Sequence, residues 1–177
     1  MRPWLALLGN QAVWLIAAWS AGRGLWWPGL LAAAAFTAAM LASSHGLRGD
    51  LRLLATALAC GVLLDGGLRL LGWLHYGAPR PALLAPLWIL GLWAAFAVIL
   101  QPLLGWLLRR PWLAALFGAL GGPHAYLGAA RGFGAVQFVQ PGPALAWLAI
   151  GWALAMPLFA WLSARPAAAP RPHGVPS

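Results

Sequence analysis

The chain has 177 residues, 63% of them hydrophobic and only 7% charged, with a mean hydropathy of +0.80 and a formal net charge of +9. Soluble domains carry about 25% charged residues, so a water-soluble globule is excluded. All eleven cations are arginines scattered between apolar blocks, which excludes a nucleic-acid binder with one basic face, and a single cysteine, Cys60, excludes an internal disulfide.

A bilayer core needs about 20 mostly apolar residues per helix, and six stretches have that length. The first, 3–21, carries Asn10, Gln11 and Trp14. Arg2 and the small residues Ala18-Trp19-Ser20 give it some look of a signal peptide, but Asn10 and Gln11 interrupt the apolar core and favour an uncleaved helix. After Gly22-Arg23-Gly24 comes 25–44, and after the polar turn 45–50 comes 51–74, which holds Cys60, Asp65 and Arg69. The fourth, 81–107, contains Trp88, Trp93 and the kink-prone pair Gln101-Pro102. The fifth, 111–132, is rich in glycine, and the sixth, 143–164, follows a longer connection with Gln137, Gln140 and Pro141. Four spans begin at proline, whose missing N–H is not needed in a first helical turn. None of the blocks alternates apolar and polar residues, so barrel strands are not expected. The expected fold is all-α: a polytopic membrane protein with a single bundle of six transmembrane helices over residues 1–164, followed by a disordered Pro/Ala-rich cytoplasmic tail over 165–177.

With the N-terminus inside, the cytoplasmic side holds Arg2, Arg48, Arg52, Arg109, Arg110, Arg165 and Arg171, against Arg23, Arg80 and Arg131 outside. Seven against three predicts both termini in the cytoplasm.

Polar side chains inside a span are costly and usually face the bundle interior or a wet cavity. Asp65 and Arg69 are four residues apart on one helical face, so an intrahelical ion pair is expected. Such a pair either locks helix packing or belongs to a site. On the fifth span, Gly118/Gly122 and Gly128/Gly132 are GxxxG pairs for close helix packing. The step Gly121-Gly122-Pro123 is expected to weaken or kink that helix in mid-membrane, with His124 and Tyr126 projecting around it. Asn10, Gln11, Asp65 and His124 fall near the predicted midplane, while Arg69, Tyr126, His75, Tyr76 and Arg131 lie successively farther out. A polar cluster opening to the outer side is therefore available, with Trp14, Trp88, Trp93 and Trp152 as deep wall residues. The bland reading, in which these groups only bond one helix to another, stands beside it.

The inventory narrows the chemistry. No HExxH, CxxC or paired histidines exist, so neither a metal nor any other cofactor is expected. The span serines sit at span ends, away from a Ser-His-Asp arrangement with His124 and Asp65. No lysine is present for a phosphate-binding loop. Acid–base work by Asp65 with His124 or Tyr126, proton relay, or binding of an amphiphile remain. An amphiphile would set its head on Arg69 and Arg131 and its chain against the tryptophans.

Asn10-Gln11 with Trp14, Asp65, Pro86-Leu87-Trp88 with Trp93 and Phe96, and Gly121-Gly122-Pro123-His124-Ala125-Tyr126 with Gly128 resemble a small bacterial family catalogued as domain of unknown function 2878, over most of residues 5–163. The resemblance implies an inner-membrane protein and carries no activity; the lipid-modifying genes that often neighbour its members lean toward lipid. The resemblance makes no claim on Arg69 or His124. The leading expectation is an inner-membrane protein that binds or processes a lipid or other amphiphile at an intramembrane pocket built from Asn10, Gln11, Trp14, Asp65, Arg69, Trp88, Trp93, His124, Tyr126 and Arg131. Its partners would be membrane lipids, with a membrane protein or a second copy as further partners. A small-solute or proton-coupled carrier and a structural subunit of a larger membrane complex are the alternatives, and whether it is an enzyme stays open.

Overall fold

The computed structural model describes residues 3–82 and 84–164. Arg2, Arg165 and Arg171 of the charge asymmetry, and the tail expected over 165–177, lie outside the described residues. The described chain is all-α apart from one short two-stranded antiparallel sheet. The helices are α1 (Pro3–Ala21), α2 (Trp27–Ala42), α3 (Leu47–Leu70), α4 (Leu87–Leu108), α5 (Pro111–Phe133) and α6 (Pro141–Ser163). Two three-residue strands, β1 (Leu74–Tyr76) after α3 and β2 (Val136–Phe138) after α5, complete the fold.

Proline stands in the first turn of α2, α5 and α6, as expected from the sequence for the fifth and sixth spans but not for the second. Two helices differ from expectation by more than two residues. The fourth helix starts at Leu87 rather than at 81, because Pro86 disfavours helical backbone at Ala85. The residues before it form a loop pinned to α4, with Trp88 Nε1–H donating to Ala78 O at 3.0 Å and Leu87 N–H to Pro81 O at 3.1 Å. The third helix starts earlier and ends at Leu70, because Gly72 takes the left-handed conformation (φ +66°) and turns the chain into β1. Gly134 (φ +64°) does the same between α5 and β2. The two strands pair antiparallel, Leu74 with Phe138 and Tyr76 with Val136, so the ends of α3 and α5 are tied together. Leu74 and Tyr76 point inward while His75 points out, the two-residue period of a strand.

The prolines inside helices do not break them. α5 runs continuously through Gly121-Gly122-Pro123, where a weakening or kink was expected, and α4 through Gln101-Pro102.

Helix α4 is central, with 56% of its apolar window inside the protein against 33% for α1 and α3 and 28% for α6. The other helices surround it in the order α2, α1, α5, α6, α3, and α1 meets α5 only sparsely. The core between them is filled by Leu53, Leu68, Trp88, Leu100, Leu148, Met156 and Phe159. Four helices, α1, α3, α4 and α6, are long and apolar enough to cross a membrane. α2 has 16 residues, and α5 is diluted by Gly118, Gly121, Gly122, His124 and Arg131. Leu63, Leu70, Leu120, Ile150 and Leu154 stand more than 60% exposed on the outer faces, an arrangement suited to hydrocarbon rather than water.

Candidate functional site

Asp65 is fully buried, 0% exposed, and accepts from three donors on three other segments. The Tyr76 hydroxyl, from β1, donates to Oδ1 at 2.8 Å and also reaches the Asp65 carbonyl at 3.3 Å. The Tyr126 hydroxyl, from α5, donates to the same Oδ1. Trp93 Nε1–H, from α4, donates to Oδ2 at 2.8 Å. Each partner has its own support. Gly61 leaves room for the Trp93 indole, since a Cβ there would lie 2.4 Å from Trp93 Cδ1. Trp93 stacks on Trp152 of α6 (centroids 4.3 Å, planes 12° apart), and Tyr76 packs edge-on against Trp88 at 6.3 Å. A buried carboxylate needs partners for its oxygens, and here neutral hydroxyl and indole donors supply them without a cation.

The expected Asp65–Arg69 pair does not form. Arg69 lies in the last turn of α3 and donates from Nη1 to Leu84 O at 3.1 Å, and no ion pair is present among the described residues. Bringing a guanidinium into the closed interior would require desolvating it, whereas at the helix end it reaches the loop with its head near the surface.

Beside this cluster, at the sparse contact between α1 and α5, lies a cleft of about 470 Å³. Its α1 wall carries Asn10, Gln11, Trp14 and Ala18, and its α5 wall Phe117, Gly121, His124, Ala125 and Gly128. The floor is Trp88, Ile89, Leu92, Trp93 and Phe96 of α4, with Tyr126, Val136 and Trp152. From Phe117 to Ala129 the cleft runs along thirteen residues of α5, about 18 Å at a helical rise of 1.5 Å per residue. Gln11 and His124 are exposed, so the cleft opens sideways between two helices and not only at an end of the bundle.

Seven of the ten residues singled out from sequence therefore line one cleft: Asn10, Gln11, Trp14, Trp88, Trp93, His124 and Tyr126. Three do not. Asp65 lies behind the wall, holding Trp93 and Tyr126 from the far side. Arg69 lines a different pocket, and Arg131 is exposed near the end of α5. Tyr76 is the residue sequence reasoning missed as an Asp65 partner, because its place depends on pairing with a strand some sixty residues away, for which the local sequence carries no signal.

The two polar groups differ in what they leave free. Tyr76, Tyr126 and Trp93 are committed to Asp65. The side chains of Asn10, Gln11 and His124 make no hydrogen bond among the described residues, and Trp152 Nε1 is buried without an acceptor. The cleft thus combines an aromatic floor with uncommitted polar groups near the middle of α1, α5 and α6. No serine, cysteine or carboxylate lines it, and among the described residues no three His, Cys, Asp or Glu side chains come together as a metal site.

Fold and site together define an all-α protein with four helices of membrane length and a lateral cleft between α1 and α5. Residues 3–158 match the family described as "Protein of unknown function (DUF2878)", and the chain belongs to that family. Comparison with curated proteins and with solved structures finds no match.

Proposed function

We propose that the protein crosses the bacterial inner membrane six times, with both termini in the cytoplasm, and binds a lipid or other hydrophobic amphiphile in the cleft between α1 and α5. The observation that carries this reading is the sideways opening of an aromatic-floored groove whose rim bears Asn10, Gln11 and His124 without protein partners. Hydrocarbon offers such groups no hydrogen bonds, so polar side chains at that depth are retained where they meet a ligand, a cavity or another helix. A volume of about 470 Å³ falls within the range of small-ligand sites, roughly 300–1,000 Å³. The elongated shape suits one hydrocarbon chain lying along α5, and the lateral opening lets it enter from the bilayer.

Gly121 gives the test. It lines the cleft, and a Cβ there meets nothing nearer than Phe117 Cε1 at 3.9 Å, so Gly121→Phe fills the groove without disturbing the packed side of α5. Gly132→Phe adds the same bulk on the same helix, where a Cβ has nothing within 4 Å. Protein released from nanodiscs of bacterial polar lipid is compared by native mass spectrometry. Wild type and Gly132→Phe are expected to retain a lipid that Gly121→Phe loses. Equal retention by all three folded proteins would exclude the cleft as the binding site.

A further inference from the structure

At the end of the bundle that carries β1 and β2, a second pocket of about 510 Å³ lies between Trp26, Arg69, Arg80, Pro81 and Ala82. We infer that it is a site for a phosphate group, held between the guanidinium groups of Arg69 and Arg80. The argument starts from charge. Only two acids exist in the chain, Asp50 and Asp65. Asp65 is consumed by Tyr76, Tyr126 and Trp93, and Asp50 accepts from Ser44 Oγ at the opposite end of α3. Two cations therefore line one pocket with no carboxylate to balance them. Like charges brought together in this way favour an anion between them.

The geometry of the two arginines supports the assignment. Arg69 is anchored through Nη1 to Leu84 O, which holds its guanidinium in place while its other N–H groups stay uncommitted. Arg80 makes no hydrogen bond or ion pair among the described residues, so its whole fork is available. Guanidinium forks match the oxygens of a phosphate in pairs. Trp26, at the start of α2, closes one side with an aromatic ring of the kind that settles at headgroup level. The phosphate can belong to an anionic lipid headgroup or to free phosphate, and the cleft reading above does not enter the argument.

The test compares wild type with Arg80→Gln, Arg69→Gln and, as a same-charge control at the same end, Arg131→Gln. Arg80→Gln is the decisive variant because Arg80 makes no hydrogen bond or ion pair among the described residues, so the variant is expected to fold. Arg69→Gln also removes the bond to Leu84, so its helical content is checked by circular dichroism. Native mass spectrometry counts bound lipid after release from nanodiscs of phosphatidylglycerol or of phosphatidylcholine. A parallel arm titrates delipidated protein with inorganic phosphate. Arg80→Gln is expected to weaken binding about tenfold, the loss of one charge-assisted hydrogen-bonded partner, with Arg131→Gln within about twofold of wild type. Selective retention of phosphatidylglycerol identifies a headgroup site, and saturable binding of inorganic phosphate alone identifies a free-phosphate site; both support the inference. Equal losses in Arg80→Gln and Arg131→Gln, or no anion preference in either arm, would overturn it.

Discussion

Asp65 ties α3 to β1, α4 and α5 through one carboxylate, and the effects of substitution follow from what each leaves unpaired. Asp65→Asn keeps one acceptor oxygen but turns an amide N–H₂ toward a donor, so at least one bond is lost. A hydrogen bond to a charged group contributes about 1.5–3 kcal/mol, and Asn is expected to cost about that much. Asp65→Ala strands the Trp93 indole and both hydroxyls and is expected to cost roughly twice as much. Tyr126→Phe and Tyr76→Phe each remove one donor and leave the other partners in place, so about 1–2 kcal/mol is expected for each. Reversible unfolding in mixed micelles, followed by helical circular dichroism, gives the ranking; an Asp65→Asn protein as stable as wild type would show that the brace does not hold the fold. At this scale the sequence was informative about which residue matters and misleading about its partner. The i,i+4 spacing of Asp65 and Arg69 is a helix-surface rule, but Asp65 faces the closed interior, where the donors come from residues 11, 28 and 61 positions away.

Helix α5 shows both what a motif can say and where it stops. The pair Gly118/Gly122 indicates close packing, and α6 does approach there: a Cβ on Gly118 would sit 2.3 Å from Trp152 O, and one on Gly122 2.3 Å from Trp152 Cδ1. The neighbouring Gly121-Gly122-Pro123 suggested a break, yet packing against α6 on one side of the helix keeps it continuous. The glycines on the two sides should therefore respond in opposite ways. Gly118→Ala forces a methyl group into a backbone oxygen that cannot move alone, and a destabilisation of about 1–3 kcal/mol is expected, as for other overpacked contacts. Gly121→Ala meets open cleft and gains helix propensity, worth up to about 1 kcal/mol. Thermal unfolding of the two variants in one detergent separates them. A Gly121→Ala protein that is destabilised as much as Gly118→Ala would mean that α5 is packed on both sides and that the cleft is closed.

For the molecule as a whole, the apolar blocks made the number and order of the helices legible, because each block needs its own backbone hydrogen bonds in hydrocarbon. The strand pair that follows α3 and α5 was not legible, since three-residue strands carry too little pattern and their pairing is non-local. What this strand pair does is hold Tyr76 against Asp65 and bring the ends of α3 and α5 to the same side of the bundle. The proposed six-span topology then makes a demand on α2, whose 16 residues rise about 24 Å, less than a hydrocarbon core of about 30 Å. Crossing requires the bilayer to thin locally or the flanks to reach the interface, and Trp26 and Trp27 at one end with Ser43, Ser44 and His45 at the other are suitable flanks. Single cysteines in a Cys60→Ala background can decide it, placed at the exposed positions Leu25, His45, Arg110 and Gln137. With a membrane-impermeant maleimide, Leu25→Cys and Gln137→Cys are expected to label on intact spheroplasts, and His45→Cys and Arg110→Cys only after permeabilisation. Leu25 and His45 labelling from one side would mean that α2 does not cross, and Arg110 and Gln137 doing so would mean the same for α5. If α5 did not cross, one wall of the cleft would lie at the membrane surface, and a hydrocarbon chain would have no way into it from the bilayer interior.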